Sequence, residues 1–310
     1  MKILITGVQG FVGRNLSYYF SAAGHTVFAP EVAELDLRDE PSVARYLAAH
    51  PVDAVVHCAT TLRADTAYPP DTCEFNLRMF FNLEKNLAPS VKLVNLGSGS
   101  EYSRAYWHRK MPESFFGTHV PKDSHSYAKY LISKYIDERN RDDLFCLRIF
   151  GIYGKYEDYR YKFISNAIVK NLLGLPIVIN QNVIYDYISV EDFARLVEVL
   201  LLRNVRGRCF NVTPTESIDL VTLANLINEV SDRPVEVQVL NEGIGVEYTG
   251  DNSALMAEIE DFSFTPPMIS IGDLYGYYKN IKAQLDYESV KADAYLNYAK
   301  SLRESYFRKS

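Results

Sequence analysis

The chain has 310 residues, of which 47% are hydrophobic and 23% charged, with a formal net charge of −6 and a pI of about 5.6. That is an ordinary soluble globular composition, long enough to bury a core in one large α/β unit or two unequal domains. No Lys/Arg block stands out and no apolar stretch approaches a membrane span, so neither nucleic acid nor a membrane is an expected partner.

The chain alternates strands and helices from its first residues. Lys2 to Thr6 is a β-rich run stopped by Gly7, and Asn15 to Ala23 reads as a helix ended by Gly24. A strand at Thr26 to Ala29 follows, then a helix from Pro41 to Ala49 and an apolar strand from Ala54 to Ala59. Cys73 to Leu87 is a long helix stopped by Pro89; Val91 to Leu96 is a strand, Ser124 to Arg139 a helix and Leu144 to Phe150 a strand. Short apolar strands alternating with helices predict an α/β fold, a Rossmann-type, doubly wound parallel sheet covered on both faces.

After Gly154 the rhythm changes. A helix is predicted over Phe163 to Leu173, strands at Pro176 to Ile179 and Val183 to Val190, a helix from Glu191 to Leu202, a strand at Cys209 to Val212 and a helix from Leu220 to Val230. The expected organisation is a dinucleotide-binding domain over 1–160, to which 183–205 returns. A smaller, interwoven C-terminal α/β substrate domain is expected over 161–182 and 206–270, and a helical tail over 271–310.

Four cysteines, Cys58, Cys73, Cys146 and Cys209, form no C-x-x-C pair and read as reduced core residues of a cytoplasmic protein. Six scattered histidines show no metal-ligand spacing, so no metal is expected.

The strongest local signal is Thr6-Gly7-Val8-Gln9-Gly10-Phe11-Val12-Gly13, which follows a strand and opens a helix. Gly7 allows the tight turn, Gly10 lets backbone approach a diphosphate, and Gly13 lets the helix pack close to the strand. The helix N-terminus adds N–H groups and partial positive charge. Gly7, Gln9, Gly10, Phe11, Val12 and Gly13 are therefore the expected cofactor contacts. Glu31, at the end of the second strand, falls where the family that this chain resembles (below) often carries an acid; a carboxylate there would accept hydrogen bonds from a ribose hydroxyl and repel a 2′-phosphate, which favours NAD over NADP. Arg14, directly after the loop, is the opposing consideration because it could pair with a phosphate.

Gly-x-x-Gly-Phe-x-Gly after an N-terminal strand resembles the NAD-dependent epimerase/dehydratase family, the extended short-chain dehydrogenases. The resemblance extends to about residue 255. It includes Asp53-Ala54-Val55-Val56-His57-Cys58-Ala59, the helix bearing Asn76, Leu147-Arg148-Ile149-Phe150-Gly151-Ile152-Tyr153-Gly154, and Asp186-Tyr187-Ile188-Ser189-Val190-Glu191-Asp192. It implies that Asp36 and Leu37 flank the adenine, that Ala59 lies at the cofactor, and that Asn76 stands near the reacting centre.

The resemblance also implies a catalytic tyrosine with a lysine one helical turn later, and a Ser or Thr on the same substrate oxygen. With 23 tyrosines, Tyr-x-x-x-Lys occurs five times, at Tyr106, Tyr130, Tyr275, Tyr278 and Tyr287. Helical context between two sheet strands selects Tyr130, with Lys134 serving both catalysis and cofactor; Tyr127 is the local rival but has Leu131 in the lysine position. Ser98, four residues before Tyr102, is the expected hydroxyl, and Ser100 the runner-up.

Family dehydratases carry an Asp-Glu pair where this chain has Gly99 and Ser100. The pattern is closer to nucleotide-sugar 4-ketoreductases and GDP-fucose synthases. The latter also epimerise with a Cys where Ser100 stands and a His near Phe163. The resemblance thus implies hydride transfer between a nicotinamide cofactor and sugar C4, as a 4-keto-6-deoxysugar reductase. The alternatives are an NAD-dependent 4-epimerase and, in another class, a non-catalytic NAD-binding scaffold. A nucleotide sugar is the expected small-molecule partner, with Ser100, Tyr153 and Arg160 as candidate substrate contacts. Tyr185 replaces the arginine often found before the Asp at 186, which leaves Arg148, Arg160 or backbone N–H groups for the diphosphate.

In the tail, Leu274, Tyr278, Ile281 and Leu285 recur at helical spacing, as do Tyr287, Val290, Ala294, Tyr298 and Leu302. Such a stripe packs on its own subunit or crosses to a second copy to build the expected homodimer.

Overall fold

The computed structural model describes residues 1–63, 67–139 and 141–307, with side chains of the last helix described to Ser301. The first half runs β1 (Lys2–Thr6), α1 (Phe11–Ala22), β2 (Thr26–Phe28), α2 (Glu40–Ala49), β3 (Ala54–His57), α3 (Thr72–Asn86), β4 (Lys92–Ser98), α4 (Ser124–Arg139) and β5 (Leu144–Ile149). There follow β6 (Gly151–Tyr153), α5 (Phe163–Leu173), β7 (Ile177–Asn182), β8 (Ile184–Tyr185), β9 (Tyr187–Ser189), α6 (Val190–Leu202), β10 (Cys209–Val212), β11 (Ile218–Asp219), α7 (Leu220–Val230) and β12 (Val237–Ile244). The chain closes with α8 (Ser253–Glu258), α9 (Pro267–Asn280), α10 (Tyr287–Lys291) and α11 (Ala294–Phe307).

Six strands form one parallel sheet in the order β10-β5-β4-β3-β1-β2. Side chains alternate across it with period two. Ile3, Ile5, Val56, Val94 and Leu147 face α1, α6 and α8, while Leu4, Val55, Leu93 and Cys146 face α2, α3 and α4. Both faces are buried, which is why the strands read as continuous apolar runs. This is the doubly wound, Rossmann-type sheet expected from the alternation.

Strand order reverses between β1 and β3, so a crevice opens at their C-terminal ends, where open α/β sheets bind ligands. The first glycine loop, the end of β3 and the end of β4 all lie on that edge.

The second lobe is built on α5, α7 and the β7–β12 pair, around Ile164, Ile168, Ile179, Leu223 and Ile227. Within 183–205, Ile188, Phe193, Val197 and Leu200 lie in the core under the sheet, while Val183, Tyr185 and Tyr187 pack on the core of the second lobe. Two placements differ from the sequence reading. Cys209–Val212, assigned to the substrate domain, is the outer strand of the main sheet beside β5, because Phe210 and Val212 complete the core under α6. The expected strand from Val183 to Val190 is broken into β8 and β9 around the buried Asp186, and they pair with β11 and β6 respectively.

In the tail, α9 buries Ile271, Leu274, Tyr275 and Tyr278 against α5 and α7 of the same chain. Val290 of α10 joins that core, and Lys170 reaches Asp293 at 2.6 Å. This stretch of the stripe is therefore an intramolecular core element.

Candidate active site at the sheet edge

The glycine loop is shaped by contact. Gly7 has φ +70°, and a Cβ there would stand 2.8 Å from the backbone of Ala59. A Cβ on Gly13 would stand 2.5 Å from the Gly7 carbonyl oxygen, so β1, α1 and the end of β3 close on one another only with glycine at both places. Gly10 is different. It is extended, caps α1 without a side-chain hydrogen bond, and meets only the Gly7 oxygen at 3.3 Å. The first-turn N–H groups of α1 consequently face an uncovered backbone rim that fits a diphosphate. Gln9 is exposed beside it, and Phe11 and Val12 are half-buried at the helix start.

Thr6 joins the ends of β1 and β3: its Oγ1 lies 2.9 Å from His57 Nδ1 and accepts the Ala59 N–H at 3.2 Å. Burial, helped by the Lys129 charge, holds the His57 imidazole down at about 3, so it is neutral.

Beyond β2, Glu31 is exposed, and its N–H is taken by Glu34. Asp36 accepts two hydrogen bonds from the Arg38 guanidinium, at 2.9 and 2.8 Å, and its carboxyl is held below the usual range by that arginine. Leu37 is a core residue whose carbonyl accepts from Asn82. Arg14 lies 3.9 Å over the Tyr156 ring.

At the end of β4 the Ser98 turn is tied down. Ser98 N–H donates to Glu101 Oε1 at 2.7 Å, and Ser98 Oγ accepts from the Ser100 N–H and hydroxyl at 3.2 and 3.0 Å. Glu101 is fully buried and pairs with Arg148 at 2.9 Å and with the Ser133 hydroxyl. Ser98 thus stands half-buried at the sheet edge on a buried ionic anchor.

Helix α4 does not present the expected pair. Lys134 is exposed, 3.8 Å from Glu138 on the outer face. Tyr130 is buried against Phe116, with ring centroids 5.0 Å apart, and Tyr127 is exposed. The lysine that reaches the strand ends is Lys129. Its ammonium donates to the Leu96 carbonyl at 2.5 Å and lines a small cavity with His57, Cys58, Ala59, Thr60, Asn76 and Asn95. At 100° per residue, Lys134 stands about 140° around the helix from Lys129 and Tyr130 about 100° from it, so Tyr130 and Lys134 occupy a different flank. Ile132, Ser133 and Ile136, which flank Lys129 on the helix surface, are buried, while Lys134 is not. Burial lowers the Lys129 ammonium from its usual value.

Asn76 does lie in this cavity. Its Oδ1 accepts from the Thr61 N–H at 2.8 Å and from the Thr60 and Thr61 hydroxyls, while its Nδ2 is buried with no hydrogen-bond partner among the described residues. An amide donor stranded beside a buried ammonium fits a cofactor's polar atoms. His125, one turn before Lys129, stacks on Tyr68 with centroids 4.3 Å apart and planes at 5°. Arg63 lies over both Tyr68 and Tyr298, and Tyr298 is hydrogen-bonded by Arg63 and Arg104. Burial opposes ionisation of Tyr298, but the two arginines outweigh it and lower the phenol below its usual value.

The other candidates lie elsewhere. Ser100 is buried under Ser98, and the Tyr153 hydroxyl meets Ser270 Oγ at 2.6 Å in the second-lobe core. Arg160 is exposed and held by both oxygens of Asp158. Arg148 is committed to Glu101. Sequence reasoning misses Lys129, His125 and the arginines Arg63 and Arg104; the signal that could find the first two is that they too stand four apart on α4.

Among known proteins, the chain is 36% identical to GDP-L-fucose synthase of Azorhizobium caulinodans over 106 residues, which is 33% of this chain and 34% of that one. It is 25% identical to GDP-L-colitose synthase of Yersinia pseudotuberculosis over 190 residues, 56% of this chain and 60% of that one. The chain thus spans between a third and three fifths of these curated relatives. A GDP-L-fucose synthetase crystal structure from Naegleria fowleri shares the fold at a TM-score of 0.79 with 13% identity, over 91% of this chain and 94% of that one. Residues 3–213 match the model of the NAD dependent epimerase/dehydratase family, and with two thirds of its length inside that match the chain belongs to this family.

Proposed function

We propose that the protein is an oxidoreductase that moves a hydride between a nicotinamide cofactor and C4 of a nucleotide-linked sugar, working as a 4-keto-6-deoxysugar reductase. One observation carries this reading: the bare Gly10 rim, the cavity lined by Asn76 and Lys129, and Ser98 at the end of β4 all stand at the C-terminal edge of the sheet, where its strand order reverses. The cofactor would be held by Gly7, Gly10, Gly13, Ala59, Asn76 and Lys129. When bound, the nicotinamide supplies or accepts the hydride. Ser98 would orient the sugar oxygen from its fixed turn, and Lys129 would contribute positive charge from below. Family membership and the names of the two relatives agree with a sugar-nucleotide substrate.

NAD is the proposed cofactor. Glu31 presents its carboxylate at the end of β2, while the nearby cations that could hold a 2′-phosphate are engaged, Arg38 by Asp36 and Arg14 by Tyr156. Reduction without dehydration or ring epimerisation follows from the neighbours of Ser98. Gly99 carries no side chain, and the Ser100 hydroxyl is spent on Ser98. A cytoplasmic homodimer is part of the same proposal; no described helix is long and apolar enough to cross a membrane.

A second reading, NAD binding without turnover, is favoured by one observation: the residue one turn before Lys129 is His125 rather than a tyrosine. The test is loss of reduced-nicotinamide absorbance on mixing the protein and NADH with GDP- and dTDP-linked 4-keto-6-deoxyhexoses. Turnover supports the reductase. Tight NADH binding with no turnover supports the binder, and C4 inversion of a sugar nucleotide with NAD alone identifies an epimerase.

A further inference from the structure

We propose that the proton carrier of this reaction is His125, acting above Lys129, and that no tyrosine fills that role. The inference rests on the oxidoreductase reading above. His125 and Lys129 stand four apart on α4, hence about 40° apart around the helix and one turn along it. They form the only such pair of α4 whose lysine reaches the strand ends among the described residues. The imidazole is held flat against Tyr68, so its orientation is set by packing. Its Nδ1 is shielded from water and makes no hydrogen bond to the described residues. Leaving a buried ring nitrogen unpaired is unfavourable, and a substrate hydroxyl or carbonyl would relieve it. A histidine placed only for packing needs no lysine beneath it and no array of cations around it.

The groups facing the ring are Lys129 on its own helix, Asp123 before that helix, Arg104 after β4 and Arg63 after β3, with Tyr298 of α11 bridging the two arginines. Burial first, then the three cations, hold the imidazole down at about 3 against the opposing Asp123. In the oxidative direction the neutral ring accepts the sugar hydroxyl proton as the C–H hydride leaves for the oxidised nicotinamide. In the reductive direction the carbonyl carbon gains the hydride from NADH. The C=O π pair moves to oxygen, which takes the imidazolium proton, and a neutral ring remains to be reprotonated from solvent. A substrate diphosphate lying against Arg63 and Arg104 would offset their charge and make the ring easier to protonate.

The test compares wild type, His125→Asn, His125→Tyr and Tyr130→Phe, using NADH and the two 4-keto sugar nucleotides. NADH calorimetry on each variant checks that the cofactor site is intact. His125→Asn is expected to lose about 10²-fold or more in kcat, as for removal of a general acid–base group. Tyr130→Phe should turn over at the wild-type rate, and His125→Tyr should recover activity relative to His125→Asn. Reductive kcat/KM of the wild type should fall about tenfold per pH unit across neutrality, because the imidazolium fraction falls, while His125→Tyr stays flat there. Turnover that survives His125→Asn, or is lost in Tyr130→Phe with NADH still bound, overturns the inference and leaves the oxidoreductase reading standing. A wild-type protein that binds NADH but reduces neither sugar overturns both.

Discussion

Arg148→Met should be among the most damaging single substitutions in the protein. The Arg148 guanidinium and the Glu101 carboxylate are both essentially inaccessible, 2.9 Å apart. Arg148 also lies 3.9 Å over the Phe116 ring. Removing the arginine leaves the Glu101 carboxylate buried on two hydrogen bonds among the described residues, from the Ser98 N–H and the Ser133 hydroxyl. Breaking a buried pair from one side costs about 3–5 kcal/mol, because the remaining charge stays desolvated. For a chain of this size that is a fall in Tm of roughly 5–8 °C. Adding Glu101→Gln removes the stranded charge, so the double variant should be more stable than Arg148→Met alone, with a coupling of at least about 1 kcal/mol. Urea unfolding of the four members of the cycle reads both quantities. Because Glu101 Oε1 also holds the Ser98 N–H, kcat should fall with the single variant as the Ser98 turn loosens. An Arg148→Met protein within about 0.5 kcal/mol of wild type, or additive single changes, would refute the reasoning.

Three further outcomes are expected. Burial pushes the Glu157 carboxyl up to about 7, the nearby Lys162 and the Ser165 hydroxyl only partly offsetting it. The folded protein therefore binds a proton that the unfolded chain releases near its usual value, so this group's contribution falls as pH rises through that window. Glu157→Gln should gain about 3 kcal/mol relative to wild type between pH 4.5 and 7.5, read by urea melts at each pH; an unchanged difference contradicts this burial. Calorimetric titration should show NADH binding more tightly than NADPH, with Glu31→Ala narrowing the gap; tighter NADPH binding would mean that Arg14 or Arg38 outweighs Glu31. A chain ending at Ile269 should not fold its second lobe, since Ile271, Leu274, Tyr275 and Tyr278 are each worth about 1.5–3 kcal/mol of burial. One ending at Asp293 should stay folded and sediment with the same oligomeric state as the intact protein, which would exclude α11 as a dimer contact.

Much of this protein was legible without coordinates because its signals are local. Alternating apolar strands and helices can be buried only as a two-faced parallel sheet, and the glycines at 7, 10 and 13 stand in one short run where β1 turns into α1, although the contact that demands Gly7 comes from Ala59 at the end of β3. The position of Ser98 follows from the end of β4, and Asn76 from its helix, for the same reason. Helix α4 was a different problem. It carries two interleaved pairs at the same four-residue spacing, and spacing alone does not say which flank faces the sheet. The tertiary packing of α4 on α3 and β4 turns Lys129 inward to the Leu96 carbonyl and leaves Lys134 in water. Cys209–Val212 is likewise misplaced by sequence because a four-residue strand carries no label for which sheet it joins; the vacant edge of β5 decides it. Sequence by itself therefore determined the fold class, the family and the glycine turn that opens α1. Only the tertiary structure decided which side chains of α4 meet the strand ends, because that depends on the rotation of one helix against a sheet whose strands are far apart in the chain.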